Sequence, residues 1–125
     1  MPEWWRVSDH RFKWIVAHVC YGSRILSAEP WRHIFPVWLS YSEDIHALLV
    51  TDSDITVWAS LGKSIVDAAV SSRTIKGVAY RVRAAYWKKM AELMDSTDLL
   101  DGRNLIHEMH LQRALDCITT SEDLA

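Results

Sequence analysis

From Thr51 to Asp95 the apolar residues return every three or four positions, and that period leaves little choice of local structure. In TDSDITVWASLGKSIVDAAVSS, Ile55, Trp58, Leu61, Ile65 and Ala69 share one helical face, while Thr56, Ser60, Lys63 and Asp67 share the other. The pattern predicts a helix capped by Asp52 or Ser53. Gly62 falls on its apolar side, where a missing side chain would let another helix approach closely. In the next stretch Ile75, Val78, Ala79, Val82, Tyr86 and Leu93 line one face, which predicts a helix over 75–95 behind a Thr74 cap. Four glycines and three prolines are too few for a loop-rich or all-β chain with many tight turns.

The helical reading extends to both ends. Residues 9–27 are expected as a first helix with Ser8 as its cap. Phe12, Ile15, Val16, Val19 and Leu26 make one apolar stripe on it, and Trp14, Tyr21 and Ile25 make a second on the opposite side. Pro30 and Pro36 exclude one long helix over 28–42 but allow a short one starting at Pro30. Ser42 is placed to cap EDIHALLV, with Glu43 and Asp44 favourable in a first turn. A last helix is expected over 103–118. Its polar side is narrow (Asn104, Glu108, Gln112, Asp116), so most of it should be buried. The expectation is an all-α fold: one domain over 1–125, a compact bundle of five or six helices.

Composition narrows the class. Half of the residues are hydrophobic and about a quarter charged, as in globular chains. No stretch approaches the ~20 apolar residues that cross a membrane. Cys20 and Cys117 sit in apolar patterns far apart and suggest no disulfide scaffold. A soluble, cytoplasmic protein without a membrane partner is expected. The seven tryptophans are many for a small core, so some should face a partner. Trp4 and Trp5 are adjacent and cannot share one face of a helix or strand.

Chemistry-bearing motifs are scarce. HEMH at 107–110 is one residue short of the HExxH metalloprotease signature, whose two His stand at i and i+4. Here His107 and His110 stand at i and i+3, with no third ligand at a matching spacing. There is no nucleophile elbow and no glycine-rich phosphate loop. Asp95, Asp98 and Asp101 lack the alternating ligands and closing Glu of a calcium loop. No catalytic residue, cofactor or metal is assigned, and enzymatic activity is not expected.

Charge is segregated along the chain. Residues 42–67 hold one base and five acids, and residues 92–125 two bases and eight acids. Residues 68–91 hold six bases (Arg73, Lys76, Arg81, Arg83, Lys88, Lys89) and no acid, in a chain of net charge −2. On the 75–95 helix, Lys76, Tyr80, Arg83 and Trp87 form one strip in which cation and aromatic alternate. That chemistry suits the anchors of a protein interface, and also phosphate contacts with base stacking. A plainer reading has the acids of 42–54 and 92–101 fold beside the helix and neutralise it.

The sequence therefore points to a non-enzymatic regulator or inhibitor that occludes a surface of a macromolecular partner, as an immunity or anti-defence protein would. The partner is expected to be another protein, which could itself be one that binds nucleic acid, and the binding residues are Lys76, Tyr80, Arg83 and Trp87. The alternative is a nucleic-acid-binding regulator using helix 75–95; against it, the turn between the two helices matches a helix-turn-helix poorly. A homodimer through Trp14, Tyr21 and Ile25 is a third expectation.

Overall fold

The computed structural model describes residues 14–95 and 102–124; Ser8, Trp4 and Trp5 lie outside them. Among the described residues the chain is mainly helical, with a small three-stranded sheet that the all-α expectation lacks. In chain order the elements are β1 (Ile15–Val16), α1 (Gly22–Leu26), α2 (Trp31–Ile34), β2 (Trp38–Tyr41), α3 (Asp52–Ser71), α4 (Ile75–Met94), α5 (Gly102–Cys117) and β3 (Ile118–Thr120). A 3-10 turn, Ser121–Leu124, follows.

β2 is the middle strand. β1 runs parallel to it, with Ile15 opposite Trp38, and β3 antiparallel, with Tyr41 opposite Ile118. All four β2 residues are buried. Leu39 and Tyr41 point into the main core with Leu61, Val78, Val82 and Leu111. Strand alternation turns Trp38 and Ser40 to the other face, and there Ser40 packs against Gly22 at the start of α1. The sheet is thus sandwiched, with α3, α4 and α5 on one side and α1 and α2 on the other.

This arrangement corrects the reading of 9–27 as one helix. Residues 14–17 are apolar toward both layers, so they show no clean period of two and mimic a helix with two apolar stripes. The β-branched Ile15 and Val16 suit a strand, and the backbone pairs as one. Ile15 N–H donates to Val37 O (3.1 Å) and Ala17 N–H to Leu39 O (3.0 Å). The pairing continues past β1, since Tyr21 N–H reaches Glu43 O at 3.1 Å. Tyr21 then turns the chain into α1 in the left-handed region, at φ 56°.

The helix expected after Ser42 does not form. Ser42 N–H donates to Cys117 O (2.9 Å), and the Cys20 thiol both donates to Ile45 O (3.4 Å) and accepts from Ile45 N–H (3.3 Å). Those bonds hold 42–45 against the sheet in a bent, non-helical path. Glu43 and Asp44 serve tertiary pairs instead, with Arg24 (3.1 Å) and Arg113 (3.0 Å). The short helix near Pro30 does form, with Pro30 at its cap position.

α3 and α4 are antiparallel neighbours joined by three residues. The cap of α3 is Thr51, not Asp52 or Ser53: Thr51 Oγ accepts from Asp54 N–H while the Asp54 carboxylate accepts from Thr51 N–H. The face of α3 that is fully covered runs through Asp54, Leu61, Ile65 and Ala68, and Ile55 lies outside it, exposed. Gly62 meets no other helix; a Cβ there would have nothing within 4 Å. α5 is less buried than its composition implies, because Leu105, Ile106 and Met109 are exposed.

Gly22 is the tightest point of the sandwich. A Cβ there would lie 1.9 Å from Ser40 Oγ, whose hydroxyl donates to Ala17 O at 2.7 Å. Gly22→Ala should therefore destabilise the fold by about 1–3 kcal/mol, the usual range for overpacking. In a Ser40→Ala background that cost should shrink by more than about 0.5 kcal/mol, because the clashing oxygen is gone. Urea titration of the four proteins gives the coupling, and strictly additive costs would contradict this packing.

Candidate functional site: the outer face of the basic helix

Helix α4 begins at Thr74, whose hydroxyl accepts from Gly77 N–H at 3.0 Å. Its inner face is set by Ile75, Val78, Ala79, Val82, Tyr86 and Met90, all buried. Tyr86 locks that face to the sheet. Its hydroxyl is 2.7 Å from the Tyr41 hydroxyl, which is also 3.0 Å from His18 Nδ1. Burial pushes Tyr41 up to about 12 and raises Tyr86 as well, so both phenols stay protonated.

With the inner face fixed, helical geometry puts Lys76, Tyr80, Arg83 and Trp87 on an outward strip. Tyr80 is 75% exposed and Trp87 59% exposed, high values for aromatic side chains of this size. Lys76 is exposed and Arg83 half-buried. Lys89, on the apolar margin, is mostly covered and reaches Glu92 at 2.9 Å. Arg81 turns aside to Ser71 Oγ at 2.6 Å.

The plainer reading required acids beside this helix. Among the described residues, the acids of the 42–54 segment that form ion pairs are committed elsewhere: Glu43 to Arg24, Asp44 to His46 and Arg113, and Asp54 to Arg103 and His107. Asp44 is accordingly held below the ordinary carboxylate range, first by its hydrogen bond from His46 and then by Arg113. No ion pair among the described residues reaches Lys76 or Arg83. Asp98 and Asp101 lie outside the described residues.

The other expected surface does not assemble. Trp14 is half-buried beside β1 and donates from Nε1 to Ala69 O of α3 at 3.0 Å. Tyr21 and Ile25 are exposed on α1, across the sheet. The three residues share no helix face because the helix that was to carry them is replaced by a strand, a turn and a short helix.

His107 and His110 are likewise separated in role. His107 is 2% exposed and lies between α5 and α3. Its Nε2 is 2.9 Å from Asp54 Oδ1, and its Nδ1 accepts from Trp58 Nε1–H at 3.3 Å. An indole nitrogen only donates, so the ring proton of His107 is on Nε2. Both ring nitrogens are therefore engaged within the protein, and neither is turned toward a ligand. His110 stands instead against His46, with ring centroids 6.0 Å apart. Among the described residues no three His, Cys, Asp or Glu side chains could hold a metal ion.

The Asp54–His107–Trp58–Arg103 cluster went unread in the sequence, although Thr51-x-x-Asp54 is a capping-box spacing that could have flagged it. Burial alone would raise the Asp54 carboxyl. The Thr51 backbone N–H, His107, the Thr51 side chain and the Arg103 charge outweigh it and hold the group at about 2. An aspartate in the unfolded chain titrates near 3.9 (about), so the ionised carboxylate favours folding. This contribution is complete above about pH 4 and is lost as the pH falls toward 2. Asp54→Asn should lower the melting temperature at neutral pH. It should also flatten the loss of stability between about pH 4 and pH 2 relative to the parent, read by thermal melts followed by circular dichroism. Parallel pH profiles for the two proteins would contradict the assignment.

Compared with protein-family models, curated proteins and solved structures, the chain matches none. Among the described residues no helix is long and apolar enough to cross a membrane.

Proposed function

We propose that this protein is a non-enzymatic regulator or inhibitor that acts by binding a macromolecular partner and covering part of its surface. The binding face is the outer strip of α4, Lys76, Tyr80, Arg83 and Trp87, and the partner is a protein with an acidic patch. The observation that carries this reading is the exposure of Tyr80 and Trp87 in alternation with Lys76 and Arg83, two cations that no ion pair among the described residues reaches. Tyr, Trp and Arg are the residues that most often anchor protein interfaces, and an acidic partner surface complements the lysine and arginine. Cys20 and Cys117 are free thiols, which suits work in a reducing cytoplasm.

The second reading is a nucleic-acid-binding regulator using the same helix. The alternation of Lys76 and Arg83 with Tyr80 and Trp87 favours it, since cations meet phosphates and aromatic rings stack on bases. The two readings separate by experiment. With the partner recovered from the native host, Trp87→Ala should weaken binding by about thirtyfold or more, and Lys88→Ala by less than about fivefold. Equal losses would overturn the strip as the anchor. In parallel, labelled single- and double-stranded oligonucleotides at low salt should not bind. Salt-sensitive binding that Lys76→Ala and Arg83→Ala both weaken would replace the protein-partner reading with the nucleic-acid one.

A further inference from the structure

The segment that joins β2 to α3 walls in a hollow of about 220 Å³, whose lining includes His18, Cys20, His46, Ala47 and Trp58. The segment is pinned at two points. Ile45 exchanges two bonds with the Cys20 thiol, and Val50 N–H donates to the Asp54 carboxylate at 3.2 Å. Between these points, among the described residues, no hydrogen bond reaches the backbone of 46–49. The polar attachment here is made by side chains. His46 Nε2–H donates to Asp44 Oδ2 at 2.9 Å, and Arg113 of α5 donates to Asp44 Oδ1 at 3.0 Å. The His46 ring lies beside that of His110 on α5, with centroids 6.0 Å apart. His110 is the unusual member. Its Nδ1 is buried and has no hydrogen-bond partner among the described residues. A neutral ring accommodates this by leaving Nδ1 bare and carrying its proton on Nε2. A charged ring bears protons on both nitrogens, so one would be buried without an acceptor.

We infer that residues 46–49 are an acid-released strap, closed on α5 while His110 is neutral and freed when His110 takes up a proton. The groups around His110 leave that proton uncompensated. The strap presents His46 and Asp44, and α5 itself presents His107 and Arg113. Asp54 of α3 is already bonded to His107 and Arg103, and Glu43 to Arg24. The sheet layer adds His18 and Cys20 on the wall of the hollow, and α4 turns apolar residues and the Tyr86 phenol inward. Proton uptake by both His46 and His110 would therefore set three cations, with Arg113, around the single Asp44 carboxylate. Moving 46–49 away separates His46 from His110 and lets water reach the charged ring. The direction of the titration agrees. Burial, and then the neighbouring His46 and His107, hold His110 below the ordinary imidazole value. The closed strap thus resists the proton that the open one accepts. Closure is complete above about pH 6.5 and is lost as the pH falls below it. Ala47 also lines the larger apolar hollow beside α3, so release would uncover apolar surface in acid.

The test is nitrogen-15 relaxation on the full chain across a pH series. At about pH 7.5 the backbone order parameters of Ala47, Leu48 and Leu49 should lie near the rigid value of about 0.85, and at about pH 5 they should fall below about 0.6. Val78 and Val82 of α4 should stay rigid throughout, which separates release of the strap from unfolding. The His110 ring resonance, followed in the same samples, should titrate with the same midpoint as the release. In His110→Gln, which cannot take the charge, the strap should stay ordered at about pH 5. His46→Gln keeps a donor for Asp44 at an exposed position and should move the release to lower pH. A strap equally rigid at both pH values, a release that His110→Gln leaves in place, or a release whose midpoint departs from that of the His110 ring would overturn the inference.

Discussion

The carboxylate of Asp54 organises the helical half of the molecule. From one buried position it accepts from the backbone of Val50 and Thr51, from Arg103 and from His107. The first pair of bonds starts α3 at Thr51, and the second pair fastens α5 to α3. A buried carboxylate without such partners would be strongly unfavourable, so each partner is held as firmly as it holds the acid. The arrangement has a consequence some distance along the chain. With Glu43 and Asp44 also paired to Arg24 and Arg113, the acids of the 42–54 segment that form ion pairs are engaged away from α4, and Glu92, on α4 itself, pairs with Lys89.

The sheet sets the other half. β2 is covered on both faces, so it needs apolar or small residues at every position, and it has Trp38, Leu39, Ser40 and Tyr41. Ser40 is tolerated because its hydroxyl is bonded to Ala17 O and because Gly22 leaves room for it. Tyr41 passes the orientation of the sheet to α4 through Tyr86. Once that contact fixes which side of α4 is inside, the outward placement of Tyr80 and Trp87 follows from helical geometry alone.

The legibility of each part follows from how many environments it meets. α3 and α4 were readable almost to the residue, because each buries one stripe against one core and keeps the rest in water. The shared strip of Lys76, Tyr80, Arg83 and Trp87 was readable for the same reason, since its placement depends on α4 alone. Residues 14–27 were misread because 14–17 meet side chains on both faces of the sheet, which erases the period of two, and the short helix that follows continues an apolar spacing that one long helix also satisfies. Trp38–Tyr41 follows closely on Pro36 and has no polar face to mark it as a strand. Ser42, Glu43 and Asp44 form a good helix start in isolation, yet tertiary bonds to Cys117, Arg24 and Arg113 outweigh that local preference. Whether the strip is open or covered could not be read at all, because it depends on which distant bases each acid finds.

Among the described residues the aromatic–cationic strip of α4 faces solvent rather than the protein's own acids. This exposure can be measured on the free protein with fluorinated tryptophan and a soluble paramagnetic agent, the Trp87 resonance being identified by its loss in Trp87→Phe. Trp87 should be strongly broadened by the agent, while Trp38, buried in the sheet at 3% exposure, should be protected. A Trp87 resonance as well protected as that of Trp38 would contradict it.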